Sequence, residues 1–143
     1  MRFASVNASD SRRETIAGRA VLFVHGSPRK LNEYVYADRP NSVFTNIARV
    51  ANSDVLFFGH THLPYQKLVG RTLFVNTGSV GKPKDGDTRA EYVLADFGSV
   101  LKIRLQRVAY DVAAAAQAVR QAGLPAHFAD LLETGGLPKA GAT

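Results

Sequence analysis

Three short apolar runs set what this chain can fold into. Residues 20–24 (Ala-Val-Leu-Phe-Val), 55–58 (Val-Leu-Phe-Phe) and 73–75 (Leu-Phe-Val) are rich in β-branched and aromatic side chains, too short for helices and bounded by turn residues. Their hydrophobicity is continuous rather than alternating, the pattern of strands buried on both faces in a layered α/β domain. Each runs straight into a polar, glycine-bearing loop: Val24-His25-Gly26-Ser27-Pro28-Arg29, Phe58-Gly59-His60-Thr61-His62-Leu63-Pro64-Tyr65 and Val75-Asn76-Thr77-Gly78-Ser79-Val80-Gly81. In an open α/β sheet, ligands bind in the crevice where the carboxyl ends of such strands gather. The chemistry is therefore expected in these three loops.

The remaining elements frame that crevice. Residues 91–96 and 100–108 alternate and flank Phe97-Gly98-Ser99, predicting a hairpin. A shorter hairpin is expected at the start, residues 14–16 turning at Ala17-Gly18 into the first buried strand. Ser11-x-x-Glu14 also matches a helix capping box, but Gly18 and the β-rich run follow too soon for a helix. Asn41 or Ser42 is placed to cap a helix over 43–51 with Val43, Ile47 and Val50 on its apolar face. Asp111 is placed to cap an alanine-rich helix to about Gln121, stopped by Gly123 and Pro125. Residues 126–133 form a last short helix, and 136–143 read as a loose tail. With no repeat and no linker, residues 1–143 are expected to form one unit.

Length and composition exclude several classes. A chain of 143 residues makes one domain and should bury roughly 68% of its unfolded surface. The absence of cysteine removes disulfides, cysteine zinc sites, iron–sulfur clusters and thiol nucleophiles. No run approaches the ~20 apolar residues of a membrane helix, and the first stretch has no signal-peptide core. A cytoplasmic location is the expectation, with no membrane partner. Eighteen Lys/Arg against twelve Asp/Glu give a net charge of +6. The basic residues are scattered and not interleaved with aromatics, so nucleic-acid binding is not expected.

His60 and His62, two residues apart after a buried strand, are expected on an extended segment with both imidazoles on one face. With His25 at a neighbouring strand end, three imidazoles could converge. Neutral imidazole suits Mn, Fe, Co, Ni or Zn better than Ca or Mg. Tyr65 reads equally as crevice lining or as packing under Pro64. Arg89, after the Asp85-Gly86-Asp87 turn, reads as a structural ion-pair partner, and His127 as surface or packing.

Val-His-Gly-Ser-Pro-Arg, Gly-His-Thr-His-Leu-Pro-Tyr and Val-Asn-Thr-Gly-Ser-Val-Gly-Lys-Pro-Lys-Asp-Gly-Asp resemble the last blocks of the calcineurin-like metallophosphoesterases, closest to the small bacterial and archaeal phosphodiesterase branch. The resemblance covers about residues 12 to 135, in family order. It implies the carboxyl-terminal half of a four-layer α/β/β/α sandwich, with mixed sheets and flanking helices, and phosphoester hydrolysis at a two-metal centre. It carries His25 and His60 over as ligands of one metal and His62 as a ligand of the other. The loop 76–81 resembles the one that closes the site. Arg29, Asn76 and Ser79 are weak substrate-contact candidates, a turn that merely shapes the crevice being the other reading.

One departure is decisive for the expected chemistry. The family's first half brings Asp-x-His, Gly-Asp-x-x-Asp and Gly-Asn-His-Asp/Glu motifs, and none of the twelve acidic residues here lies in such a motif. Asp54 precedes the second strand at its far end, Asp85 and Asp87 lie beyond Gly81, and Asp10 has no histidine two residues on. The full metal pair is therefore not expected from this chain alone, and no catalytic residue is assigned to it. A complementing amino-terminal segment or a second copy is the expected partner, besides a phosphoester small molecule. The alternative is a non-catalytic interaction module of the same fold. Without the missing strands, residues 55–58 should face water or present an unpaired edge.

Overall fold

The structure, a computed structural model, describes residues 11–138. Asp10 and residues 139–143 lie outside that range. A five-stranded sheet in the order β1-β2-β3-β5-β4 forms the centre, and β6 and β7 form a second, two-stranded sheet. β1 (Arg12–Ile16) and β2 (Arg19–Phe23) make an antiparallel hairpin. Its turn sets both Ala17 (φ 48°) and Gly18 (φ 76°) in the left-handed region, the requirement of a two-residue turn that matches strand twist. β2, β3 (Val55–Phe58) and β5 (Thr72–Asn76) run parallel. The three apolar runs are therefore the parallel core of the sheet. The mixed α/β architecture expected from the sequence is present.

β3 is buried along its whole length, so the expectation that residues 55–58 face water or an open edge is corrected. The pleat sends alternate side chains to opposite faces, and each face has its own cover. On one side Leu56 and Phe58 meet Phe44, Ile47 and Ala51 of α1 (Asn41–Ala51) and Phe74 of β5. On the other side Val55 and Phe57 meet Val93 and Phe97 of β6 (Ala90–Phe97) and Leu101 and Ile103 of β7 (Leu101–Val108). Unpaired edges lie instead at β1 and β4 of the larger sheet and on the outer sides of β6 and β7, each the other's only strand partner among the described residues.

Two details of α1 depart from expectation. Its N-cap is Pro40, with no side-chain cap, and the Val43 N–H donates to the Pro40 carbonyl (2.9 Å). The ring holds φ at −55°, so the chain enters the helix one residue before the polar pair expected to cap it. The buried face is Phe44, Ile47 and Ala51, while Val50 is 52% exposed. The larger Phe44 ring takes the core position and meets Phe74 edge-on at 5.0 Å, which turns Val50 out.

A strand was not anticipated at β4 (Tyr65–Val69), antiparallel to β5. Its alternation is disguised by Lys67, which faces the same side as Tyr65 and Val69. Lys67 lays its ammonium 4.2 Å from the Phe44 ring centroid and donates to the carbonyls of Ala37 (3.0 Å) and Arg39 (3.4 Å). A lysine can cover apolar surface with its stem while its head meets polar groups.

The chain closes with α2 (Val112–Gln121) and α3 (Ala126–Glu133). Asp111 caps α2 by accepting from the Ala114 N–H (2.9 Å). Gly136 and Leu137, expected as the start of a loose tail, fold back on the preceding turn. The Gly136 N–H donates to Leu131 (2.8 Å) and the Gly86 N–H to Gly135 (3.0 Å).

Arg107 gathers the acidic residues of the neighbouring loop, pairing with Asp85, with Asp87 (2.8 Å) and more loosely with Glu91 (3.6 Å). Arg89 holds Asp87 at 2.6 Å, the ion-pair role expected of it. Burial pushes the Asp85 carboxyl up, but the Arg107 hydrogen bond and charge outweigh it and leave Asp85 below its ordinary value of 3.8. A carboxylate lowered on folding stabilises fully above its unfolded value, and that stability is lost as pH falls through the folded value. Burial pushes Glu91 the other way, above 4.5, so its ionisation opposes folding as pH rises. Asp85→Asn is therefore expected to flatten the acid limb of stability, read as urea midpoints between about pH 2 and 5.

Candidate functional site

The three loops named from the sequence meet at the carboxyl edge of the parallel strands. The Val24 N–H donates to Phe57 (3.0 Å), the Gly59 N–H to His25 (2.8 Å) and the Thr77 N–H to Phe58 (2.9 Å). The sheet ladder thus continues past the strands and fixes where each loop departs. Asp54 sits at the opposite end. Its Oδ2 accepts from the Ala20 N–H (2.8 Å) and its carbonyl from the Leu73 N–H (2.8 Å), a clamp across β2, β3 and β5 far from the histidines.

His25 and His60 are brought together: His25 Nε2 and His60 Nδ1 lie 2.9 Å apart with the rings edge-on at 4.8 Å. His62 is held separately. Its Nδ1 donates to the Lys82 carbonyl (2.6 Å), which leaves Nε2 to carry the lone pair. The extended segment expected for the two histidines is corrected, because β3 ends at Phe58 and both His60 (φ 66°) and His62 (φ 60°) are left-handed. Such a backbone is several-fold enriched in His among non-glycine residues and still costs of order 1–2 kcal/mol each.

The fully buried Thr61 between them shows what holds the strained turn. Its hydroxyl oxygen accepts from Asn76 Nδ2 (2.9 Å) and from the Leu63 N–H (3.2 Å). Asn76 also donates to Gly59 (3.1 Å) and accepts from the Gly78 N–H (3.0 Å). Asn76 is wholly buried, so its side chain ties the second loop to the third. Thr61 was not singled out from the sequence. The signal was there in a β-branched hydroxyl residue between two histidines, just after Gly59.

Arg29 and Ser79 have their polar groups engaged. Arg29 forks onto Glu33, whose carboxylate also accepts from Ser27 Oγ. Burial raises the Glu33 carboxyl, but the Arg29 and Ser27 hydrogen bonds and the Arg29 and Lys30 charges outweigh it and hold it below 4.5. Ser79 Oγ accepts from the Lys82 N–H (2.9 Å). Tyr65 packs on Phe58 and donates its hydroxyl to the Val35 carbonyl (2.8 Å).

The first loop brings in an unanticipated group. Gly26 is required where the chain turns, since a Cβ there would collide with the Leu31 carbonyl. Beyond it, Val35 is buried in the α1-side core, and its neighbour Tyr34 is set 4.2 Å from the His60 ring while stacking on Tyr36 at 5.8 Å. Lys84 Nζ stands 5.9 Å from the Tyr34 ring centroid.

Burial is the largest cause holding His60 below the usual histidine range of 6.5, and the charges of His25, His62 and Lys84 act the same way. A metal needs the neutral imidazole, and His60 Nε2 is buried with no hydrogen-bond partner. The Lys82 carbonyl on His62 is the outer contact that metal-binding histidines normally have. The rest of a two-metal centre is missing. Among the described residues no group of three His, Cys, Asp or Glu side chains is placed to hold an ion. These residues alone do not fit a two-metal site.

The fold and the loops agree with one class. The chain belongs to the calcineurin-like phosphoesterase superfamily, whose domain model matches residues 3–99. It is 30% identical over 139 residues to the uncharacterized protein MJ0912 of Methanocaldococcus jannaschii, covering 85% of this chain and 54% of that one. It is 36% identical over 69 residues to the phosphodiesterase YfcE of Escherichia coli, covering 48% of this chain and 38% of that one. Among solved structures, a metallophosphoesterase from Sphaerobacter thermophilus superposes with TM-score 0.72 at 27% identity, covering 80% of this chain and 55% of that one. The protein PH1004 of Pyrococcus horikoshii shares the fold with TM-score 0.78 at 23% identity, covering 90% and 51%. The chain spans about half the length of these relatives or less. No helix among the described residues is long and apolar enough to cross a membrane.

Proposed function

We propose that this chain is the histidine-bearing half of a metal-dependent phosphodiesterase, inactive until carboxylate ligands from another segment complete the centre. The observation that carries this reading is the state of the crevice. His25 and His60 are paired and His62 is fixed through its Nδ1, yet among the described residues His60 Nε2 is buried without a partner and no His, Cys, Asp or Glu completes a three-ligand group with them. A retired site has no need of an orphaned buried nitrogen, which costs about 1–3 kcal/mol if left so. Mn, Fe, Ni, Co and Zn are the ions that suit imidazole.

A place for the missing segment supports the same reading. A cleft of about 360 Å³ between the two sheets is lined by Phe23, Phe57, Gly78, Glu91, Val93 and Phe97, and β6, which contributes to it, is paired on one side only among the described residues. A free sheet edge beside apolar surface invites another strand. We assign it to the acidic segment. A second copy of the chain is the competing occupant.

The second reading, a non-catalytic interaction module, draws on the same lack of a three-ligand group. Hydrolysis of bis(p-nitrophenyl) phosphate by the pure chain with Mn²⁺ or Ni²⁺ tests the first. The expected rate is that of buffer and metal alone. Hydrolysis that disappears in His60→Ala would overturn the view that the chain is incomplete.

A further inference from the structure

We propose that Tyr34 and Lys84 form the substrate-selecting face of this crevice, favouring phosphoesters that carry an aromatic group. The inference rests on the phosphoesterase reading above and deepens it. Its basis is which groups beside the histidines remain open. The Arg29 guanidinium is forked onto Glu33, Ser79 Oγ is oriented by accepting from the Lys82 N–H and keeps only its O–H to offer, and Asn76 spends its amide on Gly59, Thr61 and Gly78. Arg29 and Asn76 must give up hydrogen bonds before they can meet a ligand, and neither they nor Ser79 offers an apolar face to one. Tyr34 and Lys84 are both exposed, and Tyr34 keeps 43% of its surface while its ring lies 4.2 Å from that of His60.

The ring is presented rather than loose. Val35, next in sequence, is buried in the core, and its carbonyl accepts from the Tyr65 hydroxyl (2.8 Å). Tyr36 stacks on Tyr34 with the planes 11° apart. Ser27 and Arg29 hold Glu33 on the other side of the loop. An aromatic side chain fixed in this way loses little freedom when a ligand stacks on it. Lys84 Nζ, 5.9 Å from the ring centroid, places a mobile cation where a phosphate attached to that ligand would come. The exposed part of the Tyr34 ring, next to a positive charge at a histidine pair, is complementary to an aryl or nucleoside phosphoester, and an alkyl ester has no ring to lay against it.

Equilibrium titration of the 143-residue chain, followed by amide NMR with and without Zn²⁺, tests this. The probes are diphenyl phosphate, a dithymidine monophosphate and dimethyl phosphate. At least one aromatic ester is expected to bind about tenfold or more tighter than dimethyl phosphate. Tyr34→Phe should keep that ratio and Tyr34→Ala should bring it close to one with dimethyl phosphate binding unchanged. Lys84→Met should weaken all three. The order of the two aromatic probes tells an aryl from a nucleobase preference. Equal binding of aromatic and alkyl esters, or a ratio that survives Tyr34→Ala, overturns the inference while leaving the phosphoesterase reading intact. Failure of every phosphodiester to bind also overturns the inference, while the phosphoesterase reading is decided separately by hydrolysis once the chain is joined to the acidic segment. Unchanged shifts of the β3 amides in Tyr34→Ala separate loss of the ring from loss of the fold.

Discussion

Joined to a segment that carries the Asp-x-His, Gly-Asp-x-x-Asp and Gly-Asn-His-Asp/Glu motifs, the chain is expected to hydrolyse bis(p-nitrophenyl) phosphate at least about 10³-fold faster than alone. The reason is charge. Two divalent cations bring four positive charges into one small crevice, and imidazoles neutralise none of them. Carboxylates do, and Glu33, Asp85 and Asp87 are committed elsewhere: Glu33 to Arg29, and Asp85 and Asp87 to Arg107. The gain should vanish in His60→Ala, because His60 supplies the buried nitrogen with no other partner. A joined protein as active with His60→Ala as without it would place the chemistry outside this crevice. Steady-state rates with Mn²⁺ present decide the point.

Phe74→Ala is expected to cost about 3–5 kcal/mol of unfolding free energy, measured as a shift in urea midpoint. Phe74 is fully buried on β5 and meets Phe44 at 5.0 Å and Phe58 at 6.4 Å, so it joins α1 to the central strands. Its removal leaves a void where three rings meet. The neighbours can close it only by moving α1 or β3. Against a typical stability of about 5–15 kcal/mol, this change alone removes a large share of the fold's stability. Val50→Ala on the exposed side of α1 is the control, and a similar loss there would contradict the assignment of the helix face.

Much of this architecture could be read from the chain because its signals are local. Continuous apolar runs gave the parallel strands, Phe97-Gly98-Ser99 gave the β6–β7 turn, and Asp111 gave the start of α2. What escaped depended on contacts between distant residues. β4 hid behind Lys67, whose inward position makes sense only once Phe44 and the carbonyls of Ala37 and Arg39 are beside it. The burial of β3 was misjudged because its second face is covered by a hairpin from some forty residues further on. In the crevice the histidines were legible as a motif, but their backbone was not. Two left-handed residues in Gly-His-Thr-His are sustained by Asn76 from the next strand end. Arg29 looked free for phosphate because nothing in the sequence announces that Glu33 will claim it.

The central claim is that the metal pair is not held by these residues alone, and calorimetric titration of the 143-residue chain with Zn²⁺ and Mn²⁺ tests it most directly. The account predicts at most one weakly held ion per chain, lost in His25→Ala and His60→Ala. Two ions per chain bound with affinity of about 1 µM or tighter would contradict it.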